Sequence, residues 1–159
     1  MYSLVVIDMQ PEFLGRYEEG QRQDIVEAVC DAVKQAVEDG AEIIELLYKP
    51  LDPNDPHDIL SYGPTVSEIA RMWRQHKKVK RVWKENDNGG YEVMDAGIHH
   101  DEIRTCGINF SFCVAETVRC LLEHDKDVKI IRDAVANPEG DFYHGYSDSD
   151  EMAFANILI

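Results

Sequence analysis

Short apolar runs that alternate with longer stretches of helical period constrain this chain more than any other feature of its sequence. Leu4 to Ile7 is apolar throughout, as a strand covered on both faces must be. Ile25, Val29, Ala32, Val33, Ala36 and Val37 then recur at helical spacing, from a start near Gln21 to Asp24, and Gly40 supplies a stop. Ile43, Ile44, Leu46 and Leu47 make a second apolar run. Repeated strand–helix–strand units bury both faces of a parallel sheet, so the pattern predicts a single-domain α/β fold. The expected form is a Rossmann-like three-layer sandwich with a mostly parallel sheet of five or six strands.

Farther along, Pro50, Pro53 and Pro56 exclude regular structure until Thr65. A helix is predicted from Thr65 to Gln75, with Thr65 and Glu68 spaced as a capping box. Val79 to Trp83 reads as a third strand that carries Lys84 at its end, with Trp83 facing the opposite side, into the core. A polar, glycine-rich segment from Glu85 to Gly90 leads to a short helix from Tyr91 to Ile98, and Glu102 to Asn109 forms a fourth strand. Val114, Thr117, Val118, Leu121 and Leu122 share one helical face, which places Cys113 in that helix's first turn. Val128 to Ile131 is a fifth strand ended by Asp133 and Ala134; Pro138 to Ser147 is loop, and Asp148 to Leu158 a last helix.

A length of 159 residues, 44% of them hydrophobic, suits one domain spanning residues 1–159. The formal net charge of −15 opposes nucleic acid and anionic membranes as partners, because both would be repelled over long range. No basic segment precedes the first apolar run, and no run approaches the roughly 18 residues that span a bilayer, so a cytoplasmic protein is expected. Cys30, Cys106, Cys113 and Cys120 lie far apart inside apolar patterns and read as reduced thiols. Without a C-x-x-C pair, finger spacing or P-loop, neither structural zinc nor a nucleotide cofactor has support, and no cofactor is expected.

Ligands of open parallel sheets bind beyond the carboxyl ends of the strands. Asp8, Lys84 and Cys113 all fall at that edge, each from a different strand–helix junction. A thiol at a helix N-terminus, near an ammonium, is expected to have a lowered pKa. A carboxylate beside it can take its proton as the sulfur attacks, and backbone N–H groups at the helix start, that of Cys113 included, can hold an oxyanion.

These residues resemble those of the isochorismatase-like hydrolases, which include nicotinamidases and N-carbamoyl amide hydrolases. The resemblance rests on Val5-Val6-Ile7-Asp8-Met9-Gln10-Pro11-Glu12-Phe13, on Lys84 ending a strand ahead of a loop and Tyr91, and on Gly107-Ile108-Asn109-Phe110-Ser111-Phe112-Cys113-Val114 with Thr117, followed by Asp133-Ala134. It implies a sheet of order 3-2-1-4-5, with a sixth strand at the end. It makes Asp8 the base, Lys84 the electrostatic partner and Cys113 the nucleophile. Asn109, Phe110, Phe13 and Tyr91 are the implied substrate or oxyanion residues, and a cis peptide is implied between Asn109 and Phe110.

Departures from the family's pattern carry expectations too. Nicotinamidases have an Asp-x-His metal motif after the second strand, where this chain reads Leu47-Tyr48-Lys49-Pro50-Leu51-Asp52, so no metal site is expected. Asp52 and His57 read as a turn acid and an exposed histidine, and His99-His100-Asp101 as solvated residues. Phe110 stands where a small hydroxyl residue is common, which would narrow the pocket. The sixth strand is expected to be missing or supplied by a partner, and a homo-oligomer is expected. The run Lys77-Lys78-Val79-Lys80-Arg81 reads as solvated or as an oligomer contact, and Trp73 and Trp83 as core. The resulting expectation is hydrolysis of a small-molecule amide or ureide through a Cys113 thioester. A catalytically idle binding protein, or a hydrolase of a non-amide bond such as a vinyl ether, stays open.

Overall fold

Strand β1 (Ser3–Ile7) is buried along its whole length because both of its faces are covered. The computed structural model describes residues 1–49, 62–139 and 148–159. Asp52, His57 and the prolines at 50, 53 and 56 lie outside them, as does most of the expected loop from 138 to 147. β1 pairs in parallel with β2 (Glu42–Tyr48) on one side and β4 (Glu102–Ile108) on the other. Addition of β3 (Val79–Lys84) and β5 (Asp127–Ala136) completes a five-stranded parallel sheet of order β3-β2-β1-β4-β5. The expected fold class and strand order are the ones observed.

Alternation along β1 divides the core between two layers. Leu4 and Val6 pack with Ile25, Val29, Val33 and Ala36 of the long helix α2 (Glu19–Glu38), which follows a single turn, α1 (Pro11–Leu14). Val5 and Ile7 face the other way, toward Val93 of α4 (Gly90–Asp95) and Val118 and Leu121 of α5 (Ala115–Glu123). The order of strands reverses between β1 and β4, and the carboxyl ends there open a crevice.

Several local expectations are corrected. The helix expected from Thr65 to Gln75 is only the turn α3 (Ser67–Ala70), with Val66 rather than Thr65 at its N-cap and no side-chain cap. The Val66 N–H donates 2.9 Å to the Met9 carbonyl, which ties residue 66 to the end of β1 before the helix begins, and the Ser67 hydroxyl turns to Glu68 instead. Trp83 is 46% exposed, not core, because β3 is the edge strand and the cover over Val79 does not extend to it; Trp73 is buried as expected. Lys80 and Arg81 form ion pairs at 2.7 Å with Glu42 and Glu45 of the neighbouring β2. β5 continues past Asp133 and Ala134 to Ala136, through a register irregularity opposite Thr105 to Gly107. The last helix covers only 148–153; beyond it Leu158 bridges Ile130 in parallel, so this chain itself supplies a short pairing segment at the position of a sixth strand.

All four cysteines are free thiols. Among the described residues, no helix is long and apolar enough to cross a membrane. Gly107 marks the tightest approach of two strands: its φ is +121°, and an added Cβ would strike the Ile7 carbonyl oxygen and stand 2.8 Å from the Ile7 nitrogen. Gly107→Ala should therefore cost at least about 2 kcal/mol, from backbone strain plus the clash. Urea unfolding measures this, and an unchanged midpoint would refute the placement.

Candidate active site

Asp8 follows β1 directly, in a left-handed turn (φ 52°) that an aspartate tolerates better than most residues. Its N–H donates 3.0 Å to the Leu46 carbonyl, holding the turn against β2. The buried Gln10 braces the same junction. Its Oε1 accepts from the Tyr48 N–H at 2.9 Å, and its amide donates 2.8 Å to the Gly63 carbonyl.

Lys84 ends β3, two strands from β1, and on the α4/α5 side of the sheet. Strands lie about 4.8 Å apart, so only a long side chain spans the interval. Its ammonium reaches Asp8 Oδ2 at 2.9 Å, with the two side chains 0% and 1% exposed. Lys84 is the largest fully buried side chain among the described residues. Its Nζ also donates to the Asn86 and Asp87 carbonyls, at 3.0 and 3.4 Å, and lies 4.2 Å from the centre of the Tyr48 ring. Neither Asp8 oxygen has a well-aligned hydrogen bond, so the contact with Lys84 is chiefly one of charge.

Cys113 sits in a π-helical turn, Phe110–Val114, just ahead of α5. The Phe112 and Val114 N–H groups both donate to the Asn109 carbonyl, at 3.2 and 3.1 Å. The Ser111 N–H donates 3.0 Å to Asn137 Oδ1, and the Asn137 amide donates 2.8 Å to the Ser111 hydroxyl. The Tyr17 hydroxyl lies 2.8 Å from Asn109 Oδ1 and 2.9 Å from the Ala136 carbonyl. The extension of β5 thus positions the cysteine turn through Asn137. The cis peptide joins Ile108 and Asn109, one bond earlier than expected.

The thiol lies between two carboxylates. It donates 3.6 Å to Asp87 Oδ1, with the Asp8 carboxylate beside it as the alternative acceptor. Burial pushes the Cys113 thiol up and the Asp8 charge raises it further, while Lys84 pulls the other way without prevailing. The expectation of a lowered thiol pKa is therefore corrected: packing among apolar side chains shifts Cys113 toward the protonated thiol. Burial likewise raises the Asp8 carboxyl, although Lys84 opposes the shift. For Lys84, burial is the largest influence and favours the neutral amine, but the Asp8 charge, the Cys113 sulfur and hydrogen bonding to both together outweigh it and raise the pKa of the ammonium.

A cavity of about 280 Å³ opens onto the sulfur, walled by Phe13, Arg16, Tyr48, Tyr62, Asn109, Phe112 and Asp87. The three rings pack together with centroids 5.3 to 5.8 Å apart. A larger cavity, about 590 Å³, lies between α2 and α3 beside Cys30, away from the sheet edge.

Of the residues expected here, Asp8, Lys84, Cys113, Asn109 and Phe13 come together. Phe110 does not: it turns into the core, buried, with its ring 6.3 Å from that of Phe154, and so does not narrow the cavity. Tyr91 is 55% exposed and meets His124 edge-on, outside the cavity, because α4 begins at Gly90 and turns it outward. Asp87, Tyr48, Tyr62, Arg16, Tyr17 and Asn137 were not singled out in the sequence. Only Asp87 carried a signal, as the acid between Lys84 and the paired glycines Gly89 and Gly90. His99 uses its backbone N–H toward Glu42 at 3.4 Å, and among the described residues no three His, Cys, Asp or Glu converge to hold a metal ion.

The Isochorismatase domain family model matches residues 2–157. Solved structures of similar fold include nicotinamidase PncA from Bacillus subtilis, 14% identical with a TM-score of 0.70 over 97% of this chain and 96% of that one. Pyrazinamidase/nicotinamidase from Streptococcus mutans is 14% identical with a TM-score of 0.72 over 100% of both chains. The MAR1 ribonuclease from Caenorhabditis elegans is 17% identical with a TM-score of 0.75, over 99% of this chain and 75% of that one. At such identities the likeness is one of fold. No curated protein sequence matches this chain.

Removal of one member of a buried ion pair leaves an uncompensated charge, which costs more than removal of both. Lys84→Met should lower stability by about 3 kcal/mol. The double variant Asp8→Asn, Lys84→Met should recover part of that loss. Urea titration of the set checks this, and additive losses would contradict the pairing.

Proposed function

The chain belongs to the isochorismatase family, and from that premise we propose that it hydrolyses the C–N bond of a small amide or ureide, with Cys113 as nucleophile. The observation that carries this reading is the fully buried Lys84–Asp8 pair, 2.9 Å apart, behind a thiol that faces a cavity. Such a pair is expensive to bury, and a purely structural role would be served as well by apolar residues. Two structural relatives are named as nicotinamidases, which agrees with amide chemistry. The ribonuclease name of another is not carried over, because a net charge of −15 opposes a polyanionic substrate.

With the thiol protonated at rest, attack and proton transfer have to be coupled. The Cys113 sulfur bonds to the carbonyl carbon while its proton passes to Asp8, whose burial makes it a stronger base than a surface carboxylate. Lys84 keeps the developing charge on sulfur tolerable. The Cys113 N–H, in the turn ahead of α5, is the oxyanion donor on this reading. Collapse of the tetrahedral intermediate breaks the C–N bond, and Asp8 returns the proton to the departing amine. Water then attacks the thioester and gives its proton to Asp8. As the C–S bond breaks, that proton restores the thiol.

Asp8 must be ionised to accept a proton, so activity should fall as pH drops through its raised pKa. The acid limb of kcat/KM should stand above the ordinary carboxylate value of about 4. On a panel of small primary amides and ureides followed by ammonia release, Cys113→Ala should lose at least about three orders of magnitude in kcat/KM. Its circular dichroism and melting temperature should remain close to those of the parent, and intact mass should detect an acyl adduct on the parent only. Turnover retained by Cys113→Ala would overturn the mechanism. No turnover by the parent on any amide would favour a binding protein or a non-amide hydrolase.

A further inference from the structure

Asp87 has no part in the thioester chemistry above, yet, although itself exposed, it lines the cavity and accepts the Cys113 S–H at 3.6 Å. Its place is built rather than incidental. The Asp87 carbonyl accepts from Lys84 Nζ and from the Thr117 hydroxyl, both at 3.4 Å, and that hydroxyl accepts from the Gly89 N–H at 3.0 Å. The turn is closed by Asn88, whose Oδ1 accepts from the Gly90 N–H at 2.8 Å. Close packing fixes it from below: a Cβ on Gly89 would come within 2.6 Å of a Leu46 methyl and 2.8 Å of Lys84, and one on Gly90 within 2.7 Å of Cys120. The carboxylate is therefore delivered to the sulfur by four consecutive residues seated against β2, β3 and α5.

Charges on the cavity wall are unequal in their availability. Lys84 is spent on Asp8 and on two carbonyls beneath the cavity. Arg16, which lines the cavity but is exposed to solvent, lies over the Phe13 ring, 5.4 Å from its centre, and is not ion-paired with Asp87 among the described residues. The rest of the wall is Asn109, Phe112 and the rings of Phe13, Tyr48 and Tyr62, whose π surfaces attract cations as well as planar groups. A chain of net charge −15 also steers cations inward and repels anions.

We propose that Asp87 is a specificity residue, and that the substrate is an amide or ureide carrying a cationic group, such as an ammonium or amidinium, close to the scissile carbonyl. This rests on the reading of Cys113 as the nucleophile. On binding, the cation takes the place of the S–H at Asp87 and its methylene or planar flank lies against the aromatic wall. Displaced from Asp87, the thiol proton is left to Asp8, which is the acceptor that attack requires. Recognition of the cation and release of the sulfur are thus one event.

Charged thiol reagents test the recognition without any known substrate. Cys113 should react faster with aminoethyl methanethiosulfonate than with sulfonatoethyl methanethiosulfonate, by at least about tenfold after normalisation to a free thiol, the scale set by one nearby unit charge. Modification is located by peptide mass. Asp87→Asn should bring that ratio toward one, and Asp87→Lys should reverse it. In turnover, the ratio of kcat/KM for aminoalkyl amides over their neutral isosteres should fall at least about tenfold in Asp87→Asn. An anionic preference in the parent, or a ratio indifferent to both substitutions at 87, overturns the proposal even if amides are hydrolysed. Charge selectivity that depends on Asp87, in a protein that hydrolyses no amide, upholds the cation site and instead overturns the hydrolase reading.

Discussion

The ion pair between Lys84 and Asp8 is the constraint around which the sheet's active edge is arranged. Neither charge is exposed to solvent, and the cost of that burial is several kcal/mol for each ion. It is offset only because the rest of the structure presents partners in the right places: the Asn86 and Asp87 carbonyls, the Tyr48 ring, and the carboxylate itself. Those partners come from three strands, so the parallel register of β3, β2 and β1 has to hold for the pair to exist at all. The turn at Asp8, fastened by its N–H to Leu46 and braced by Gln10, serves the same geometry.

Around this pair stands a second tier of residues that do not line the cavity. Tyr17 and Asn137 hold Asn109 and Ser111, and so aim the turn that carries Cys113. Thr117 holds the segment that carries Asp87. Each is buried or nearly so, and each connects elements remote in sequence. Burial raises the pKa of the thiol, which favours an S–H held between two carboxylates over a free thiolate. On the proposed mechanism, reactivity is governed by which carboxylate receives the proton, a choice set by what occupies the cavity.

Much of the fold was legible because burial on both faces writes itself into strand composition. Ser3–Ile7 and Glu42–Tyr48 were recognisable as runs, and α2 as a periodic stripe, since each is decided by local period and burial together. Where a long-range contact overrode local preference, the reading failed. Thr65 and Glu68 have the spacing of a cap, but the hydrogen bond from Val66 to Met9 sets the helix start. Trp83 alternates correctly with Lys84 and is nonetheless exposed, because an edge strand lacks cover at that point. β5 runs past Asp133 since its irregular pairing with β4 sustains it.

The same division applies to the site. The sequence alone determined the family pattern and that Asp8, Lys84 and Cys113 end up at one sheet edge, because strand order and the ends of βα units follow from periodicity and motif order. It could not determine that Phe110 turns into the core, that Tyr91 faces outward, or that Asp87 stands at the sulfur. Those outcomes depend on the direction of a side chain leaving a turn, which is decided by packing against residues tens of positions away. The protonation of Cys113 is likewise a property of its surroundings: a helix start favours thiolate, and only the tertiary structure supplies the burial and the neighbouring carboxylates that outweigh it.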